Sequence, residues 1–180
     1  MISRQDAQRL EAAVKSAEAG LDVEIVPCLF AQCGAYHEAP WAAAALALAA
    51  GCAGAWPPLL TLGAGMAAAA LARWWAPLRR LLVGRNALEH AVAGRAKDVF
   101  FERGLSRGAR RDRVLVFAGL FERRAVVLVA ETVRAKLSGE AFAPALSALS
   151  TAAARGRAVD GMVEAVARVG RILREAGSRG

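Results

Sequence analysis

Apolar positions along the chain follow three patterns, and each predicts a different kind of element. Over residues 1–20 they recur at helical spacing, with Leu10, Val14 and Ala17 on one face. Ser3 is placed to cap this helix, with Asp6 three residues on, and Gly20 is placed to stop it. Val23–Phe30 (VEIVPCLF) is a short apolar run of strand length. Pro27 within it has no N–H to give to a ladder, which predicts an edge strand or a bulge. Helical spacing returns through Leu88, Val92, Val99 and Phe100 and predicts a helix over 86–104. Two strand-like runs follow at 114–118 and 125–130, joined closely enough for an antiparallel hairpin. Helices are predicted over 142–154, with Pro144 in the first turn, and over 161–176. Asp160 caps the latter, and Met162, Val166, Val169 and Leu173 form its buried stripe.

The third pattern has no polar face at all. From residue 39 to residue 72 there are 34 consecutive positions without a charge, rich in Ala and Leu. A bilayer core is about 30 Å thick and needs about 20 apolar residues in a helix, whereas one straight helix over this run would be about 51 Å long. Pro57-Pro58 divides the run, so two helices are expected at about 40–55 and 58–76, with a tight turn at Trp56-Pro57. Trp41, Trp56, Trp74 and Trp75 fall at the ends of these segments, where indole rings favour the membrane–water interface. Ala42, Ala45, Ala49, Gly51, Gly63, Gly65 and Ala69 would let the two helices approach closely. Because the whole circumference is apolar, a transmembrane hairpin is favoured over an Ala-rich hairpin in a soluble core. A single span over 59–82 would leave the first strand and its partners on opposite sides of the bilayer. The expected organisation is a helix and first strand (1–38), a transmembrane hairpin (39–77) and the remainder of one α/β domain (78–180).

Composition adds little to this picture, and charge adds more. The chain has 180 residues, 56% of them hydrophobic, which excludes intrinsic disorder, collagen-like structure and a disulfide scaffold. The net charge is +8, from 24 Lys+Arg against 16 Asp+Glu. Arg73, Arg79, Arg80 and Arg85 follow the second apolar segment, while only Arg4, Arg9 and Lys15 precede the first. Positive residues near span ends stay cytoplasmic, so both termini and the α/β portion are expected in the cytoplasm and the turn outside. The apolar run begins behind a charged amphipathic segment, so no secretory signal peptide is expected. The scattered arginines, with no zinc-finger or RNP motif, argue against nucleic acid as a partner. The expected partners are the lipid bilayer and another membrane protein.

The order of elements and several stretches resemble the TPM domain family, in particular its bacterial membrane subgroup, where a transmembrane hairpin follows the first strand. The resemblance is carried by VEIV at 23–26, YHEAPW at 36–41, FERGL at 101–105, VLVFAGLFERRAVVLV at 114–129 and GRAVDG at 156–161. It implies a small three-layer α/β/α sandwich on a short mixed sheet, interrupted by a two-pass insertion in the bacterial inner membrane. Members have been linked to photosystem repair in chloroplasts, to receptor accessory roles in animals and, in some cases, to phosphatase activity or calcium binding. This chain departs from the family pattern in two places. Asp112-Arg113 stands where many members have a small residue or Asn-Gly, and Glu131-Thr132-Val133 stands where they have Asp-x-Gly.

The acidic residues near predicted strand ends are Asp112, Glu122, Glu131 and Asp160. Asp112, Glu131 and Asp160 are the candidate ligands for Ca²⁺ or Mg²⁺, hard cations that prefer clustered oxygens. The plainer reading makes Asp160 a helix cap and pairs Glu122 with Arg123 or Arg124 in a solvated turn. Cys28, Cys33 and His37 lack a fourth ligand for structural zinc. Cys52 is a small apolar residue of the first membrane helix, and all three cysteines are expected as free thiols. His90 follows Glu89 on a predicted helix surface. No G-x-S-x-G, Walker, G-x-G-x-x-G or H-E-x-x-H motif occurs, and no catalytic residue is assigned. The expected role is a non-enzymatic, membrane-anchored accessory module for other membrane proteins. The alternative is a weak metal-dependent phosphatase with an acidic site at the sheet edge.

Overall fold

The computed structural model describes residues 3–105, 112–130, 133, 137 and 139–177. The chain divides into two compact units, Met1–Cys33 with Val92–Gly180, and Gly34–Ala91.

The first unit is a mixed α/β domain. Helix α1 (Arg4–Glu18) starts at Ser3, whose side chain accepts a 3.0 Å hydrogen bond from the Asp6 amide. Strand β1 (Val23–Phe30) lies parallel to β2 (Asp112–Gly119), and β2 pairs antiparallel with β3 (Arg124–Val129), giving the order β1-β2-β3. A 3₁₀ turn (Gly139–Phe142) leads into α6 (Ala143–Ala154), and α7 (Ala158–Gly177) follows. Successive strand residues point to opposite faces of the sheet, so each strand serves two cores. Ile25, Val114, Val116 and Ala118 pack with Ala17, Leu149, Met162, Val166 and Val169 from α1, α6 and α7. Cys28, Leu115 and Phe117 pack with Val92, Ala96, Val99 and Phe100 from α5 (Arg85–Glu102). Helices therefore cover both faces of the sheet. Strand β2 is central and buried on both sides, which is why VLVFA reads as an unbroken apolar run.

Pro27 sits on the edge strand, as expected, and the hydrogen bonds explain its tolerance. The Ile25 amide points away from β2 and donates to Glu18 Oε1 at 2.7 Å. Two residues on, the missing N–H of Pro27 faces the same outer side, so β1 loses no bond to β2. At two points the helices approach so closely that only glycine fits. A Cβ on Gly170 would lie 2.8 Å from the Ala17 Cβ, and one on Gly161 would lie 2.5 Å from the Ala152 Cβ.

The second unit is helical. It holds α2 (Glu38–Ala53), α3 (Pro58–Trp74), α4 (Ala76–Val83) and the first turns of α5. Helices α2 and α3 pack antiparallel: a Cβ on Gly51 would lie 2.7 Å from Thr61 Cγ2, and one on Gly65 would lie 3.1 Å from Leu48. Gly51 and Gly65 are thus two of the expected close contacts. Gly63, Ala45 and Ala49 instead face outward, and Ala39, Ala43 and Ala72 are buried in their place.

The helix expected over 58–76 stops earlier, at Trp74, and α4 leaves it at an angle of 100°. Pro77 explains the break. Its ring would clash with the Arg73 carbonyl of a continuous helix and it has no N–H to donate there, whereas the first turn of a new helix tolerates it. Helices α2 and α3 have 16 and 17 residues, about 24 and 26 Å at 1.5 Å per residue. Among the described residues no single helix is long and apolar enough to cross a membrane, and α3 with α4 reaches that length only across the bend.

Candidate functional site

The structure does not bring Asp112 and Asp160 together. Asp112 opens β2 beside Val23, at the start of both parallel strands. It lines a cleft of about 520 Å³ with Asp22 and Arg174. Asp160 lines another cleft, of about 530 Å³, with Leu29 and Leu120, at the far end of the same strands. An eight-residue strand spans about 23 Å at 3.3 Å per residue, far more than one cation bridges. Asp160 also proves to be a first-turn residue of α7 and not its cap, because the helix begins at Ala158. Its carboxylate accepts a 2.9 Å bond from Arg9, which Asp6 approaches at 3.6 Å. Both partners are about half exposed, so the pair contributes about 0.2–1 kcal/mol. Glu131 lies outside the described residues. Among those described, no three His, Cys, Asp or Glu side chains are grouped to hold a metal ion.

Glu122 differs most from expectation. It is 3% exposed and does not sit in a solvated turn. Its Oε1 accepts the Cys33 amide at 2.8 Å, and the Cys33 thiol also bonds to its carboxylate. Gly119, at the end of β2, makes room: a Cβ there would collide with Glu122 Oε2 and lie 2.9 Å from Cys33 Sγ. The Arg95 guanidinium lies 5.2 Å from the centre of the Phe30 ring, and Phe30 stacks on Phe117 at 5.1 Å. The Leu120 and Phe121 amides continue the alignment, donating to the Phe30 and Ala31 carbonyls at 2.8 and 3.0 Å. Glu122 thus ties the segment after β1 to the β2–β3 turn.

This cluster holds structure and does not activate a nucleophile. Burial, then the neighbouring Glu122 carboxylate, pushes the Cys33 thiol up to about 12 despite Arg95. Burial also raises Cys28, against a smaller opposing effect of Arg103. A reactive thiolate needs the opposite shift. Sequence reasoning missed the Cys33–Glu122 pair because 89 residues separate its members. The one available signal was a glutamate next to two apolar residues in a short turn.

A second candidate is a surface. Twelve large apolar side chains are exposed among the described residues, and all but Phe101 belong to the helical unit. They include Trp41, Leu46, Leu59, Leu60, Leu62, Met66 and Trp74, between 58% and 85% exposed. At 100° per residue Leu59, Leu60 and Leu62 occupy separate faces of α3.

The fold and these sites define a mixed α/β domain with a helical insertion between β1 and β2. The NMR structure of BA42 protein from the psychrophilic bacterium Bizionia argentinensis sp. nov. is similar to it, with a TM-score of 0.59 at 12% sequence identity. The similarity covers 98% of this chain and 83% of that one, and at this identity it shows the fold alone. No protein-family model matches the chain, and no curated protein matches its sequence.

Proposed function

We propose that the chain is a membrane-anchored α/β module whose α2–α3 hairpin is buried in a lipid bilayer and whose α/β domain engages another membrane protein. The exposed apolar side chains of the helical unit carry this reading. Burying a large apolar side chain stabilises by about 1.5–3 kcal/mol. Leaving eleven of them in water forgoes an amount comparable with the whole stability of a typical domain, about 5–15 kcal/mol. A protein partner would cover one side of a helix, whereas these side chains point several ways. Lipid covers every side.

Pairing of β1 with β2 supports an even number of crossings, since the chain must return to the sheet it left. The hairpin enters with Trp41 near its start and leaves through Trp74, Trp75 and the arginines of α4, as expected at a cytoplasmic interface. Helix α4, turned by 100°, has Leu78, Leu81 and Leu82 beside Arg79 and Arg80 and suits the plane of that interface. The α/β domain and both termini lie in the cytoplasm of a bacterial cell in this reading. The TPM-like sandwich within the α/β class belongs to the same proposal. It is supported by element order and by helices on both faces of the sheet. A binding role is favoured over metal-dependent phosphate hydrolysis by the separation of Asp112 from Asp160.

Reporters fused after residue 30, in the turn at Pro58 and after Gly180 test the topology. Cytoplasmic, external and cytoplasmic signals are expected in that order. Amino and carboxyl ends in different compartments would overturn the reading, as would release of the intact protein from membranes by alkaline carbonate. Cross-linking in native membranes is expected to recover a recurrent membrane-protein partner, and its repeated failure counts against the accessory role.

A further inference from the structure

We infer that the foot of the helical hairpin is a binding cleft for the anionic phosphate headgroup of a phospholipid; this rests on the lipid-embedded reading above. The cleft has a volume of about 330 Å³, at the small end of the range for ligand pockets, about 300–1,000 Å³. Tyr36, His37 and Trp41 line one side of it, and Ala69, Arg73 and Arg79 the other. Among the described residues no acidic side chain lines it, and Glu38, in the first turn of α2, lies beside His37 and Pro40 outside the lining.

Three features make it suit a phosphate diester carrying acyl chains. First, its two arginines come from different helices. Arg73 is in the last turn of α3 and Arg79 is in α4, and the 100° bend at Trp75 brings both to one cleft. Guanidinium groups match phosphate oxygens with paired donors. Second, α2 begins at this cleft with His37 as its N-cap residue and no side-chain cap bond. The positive end of its dipole lies there, although Pro40 has no amide to give and the Ala39 amide already donates to the Tyr36 carbonyl at 3.4 Å, so the arginines supply the donors. Third, one wall is apolar. Trp41 and Ala69 belong to the lipid-facing hairpin, so a ligand with a charged head and a greasy tail meets both of its needs there. The entry backbone is held in a costly shape: Tyr36 has φ 46°, in the left-handed region, and its ring packs over Gly34. Free phosphate would use the arginines but gain nothing from the apolar wall.

The test uses the full chain purified in dodecyl maltoside, with native mass spectrometry counting retained phosphatidylglycerol or phosphatidylcholine. The wild-type chain is expected to retain phosphatidylglycerol preferentially. Arg73→Gln with Arg79→Gln should lower that retention by about tenfold or more, since it removes both the surface attraction and the paired donors to the phosphate. Arg80→Gln with Arg85→Gln removes the same charge outside the cleft and should lower retention severalfold less than the cleft pair does, because only the general attraction to an anionic surface is lost. A chain with Arg73→Lys and Arg79→Lys keeps the charges and loses the paired donors, so it is expected to hold the lipid more weakly than wild type and better than the glutamine chain, which separates loss of charge from loss of fold. Equal losses in the two glutamine chains, a loss in the lysine chain as large as in the cleft glutamine chain, or equal retention of both lipids overturns the cleft. Calorimetric heat from inorganic phosphate without phosphatidylglycerol retention also overturns it, in favour of a free anion. Co-sedimentation of the wild-type chain with pure phosphatidylcholine vesicles reads the hairpin separately. If the chain enters these vesicles and shows no lipid preference, only the cleft fails. If it does not enter them, the membrane reading fails first.

Discussion

The two units of this protein treat apolar side chains in opposite ways. In the α/β unit, Phe117, Leu115, Val114 and Val116 are fully buried, and the sheet has a core on each face. In the helical unit, the contact between α2 and α3 is made by Gly51, Thr61, Gly65, small alanines and one leucine, Leu48, while Leu46, Leu59, Leu60, Leu62, the tryptophans and Met66 point outward. Water drives the first arrangement. The second has small residues inside and large ones outside, as in helices that meet in lipid, where close backbone approach replaces the hydrophobic drive.

The sharpest way to break this contrast is a pair of substitutions. Phe117→Ala removes a fully buried ring that stacks on Phe30, and should destabilise the α/β unit by about 3–5 kcal/mol in denaturant titration. Met66→Lys alters a side chain that is 76% exposed. It should leave that unfolding transition in place while weakening membrane insertion by about 2.5–3.5 kcal/mol, read by fractionation. If Met66→Lys partitions like wild type, the outward face is not in lipid and the contrast collapses.

Glycine substitutions probe the contrast at smaller scale. Gly170→Ala drives a Cβ to 2.8 Å from Ala17, and should cost about 1–3 kcal/mol and lower the melting temperature. Gly63→Ala meets nothing within 4 Å, and should stabilise its helix by about 0.5–1 kcal/mol. A pH effect is the smallest and belongs to the α/β unit alone. The Cys33 thiol ionises near 9 when unfolded and is pushed up to about 12 in the fold. Folding therefore favours the protonated thiol. That contribution is intact below pH 9 and is lost as pH climbs from about 9 toward 12. The melting temperature should fall across this window, and less steeply in Cys33→Ala.

Features set by neighbours in sequence were legible. Ser3 caps α1 through an amide three residues away, Pro57-Pro58 separates α2 from α3, and the apolar runs mark all three strands of the sheet. The break at Trp75 was also written locally, in Pro77, but the apolar character of the surrounding residues hid it. Asp160 looked like a cap because it precedes an apolar stripe. The helix starts two residues earlier because Gly156, at φ +75°, has already turned the chain. The candidate metal set depended on which strand end faces which, and sequence proximity to a strand does not say at which end of the sheet a carboxylate finishes. Asp112 and Asp160 finish at opposite ends. The burial of Glu122 depended on Cys33, a partner that no local pattern names.

The outer border of β1 has a consequence for self-association. A foreign strand laid along it would seek donors from Ile25 and Pro27, yet the first is already committed to Glu18 and the second does not exist. Two successive rungs of that border therefore lack the donors a templating strand would need, which disfavours edge-to-edge pairing there.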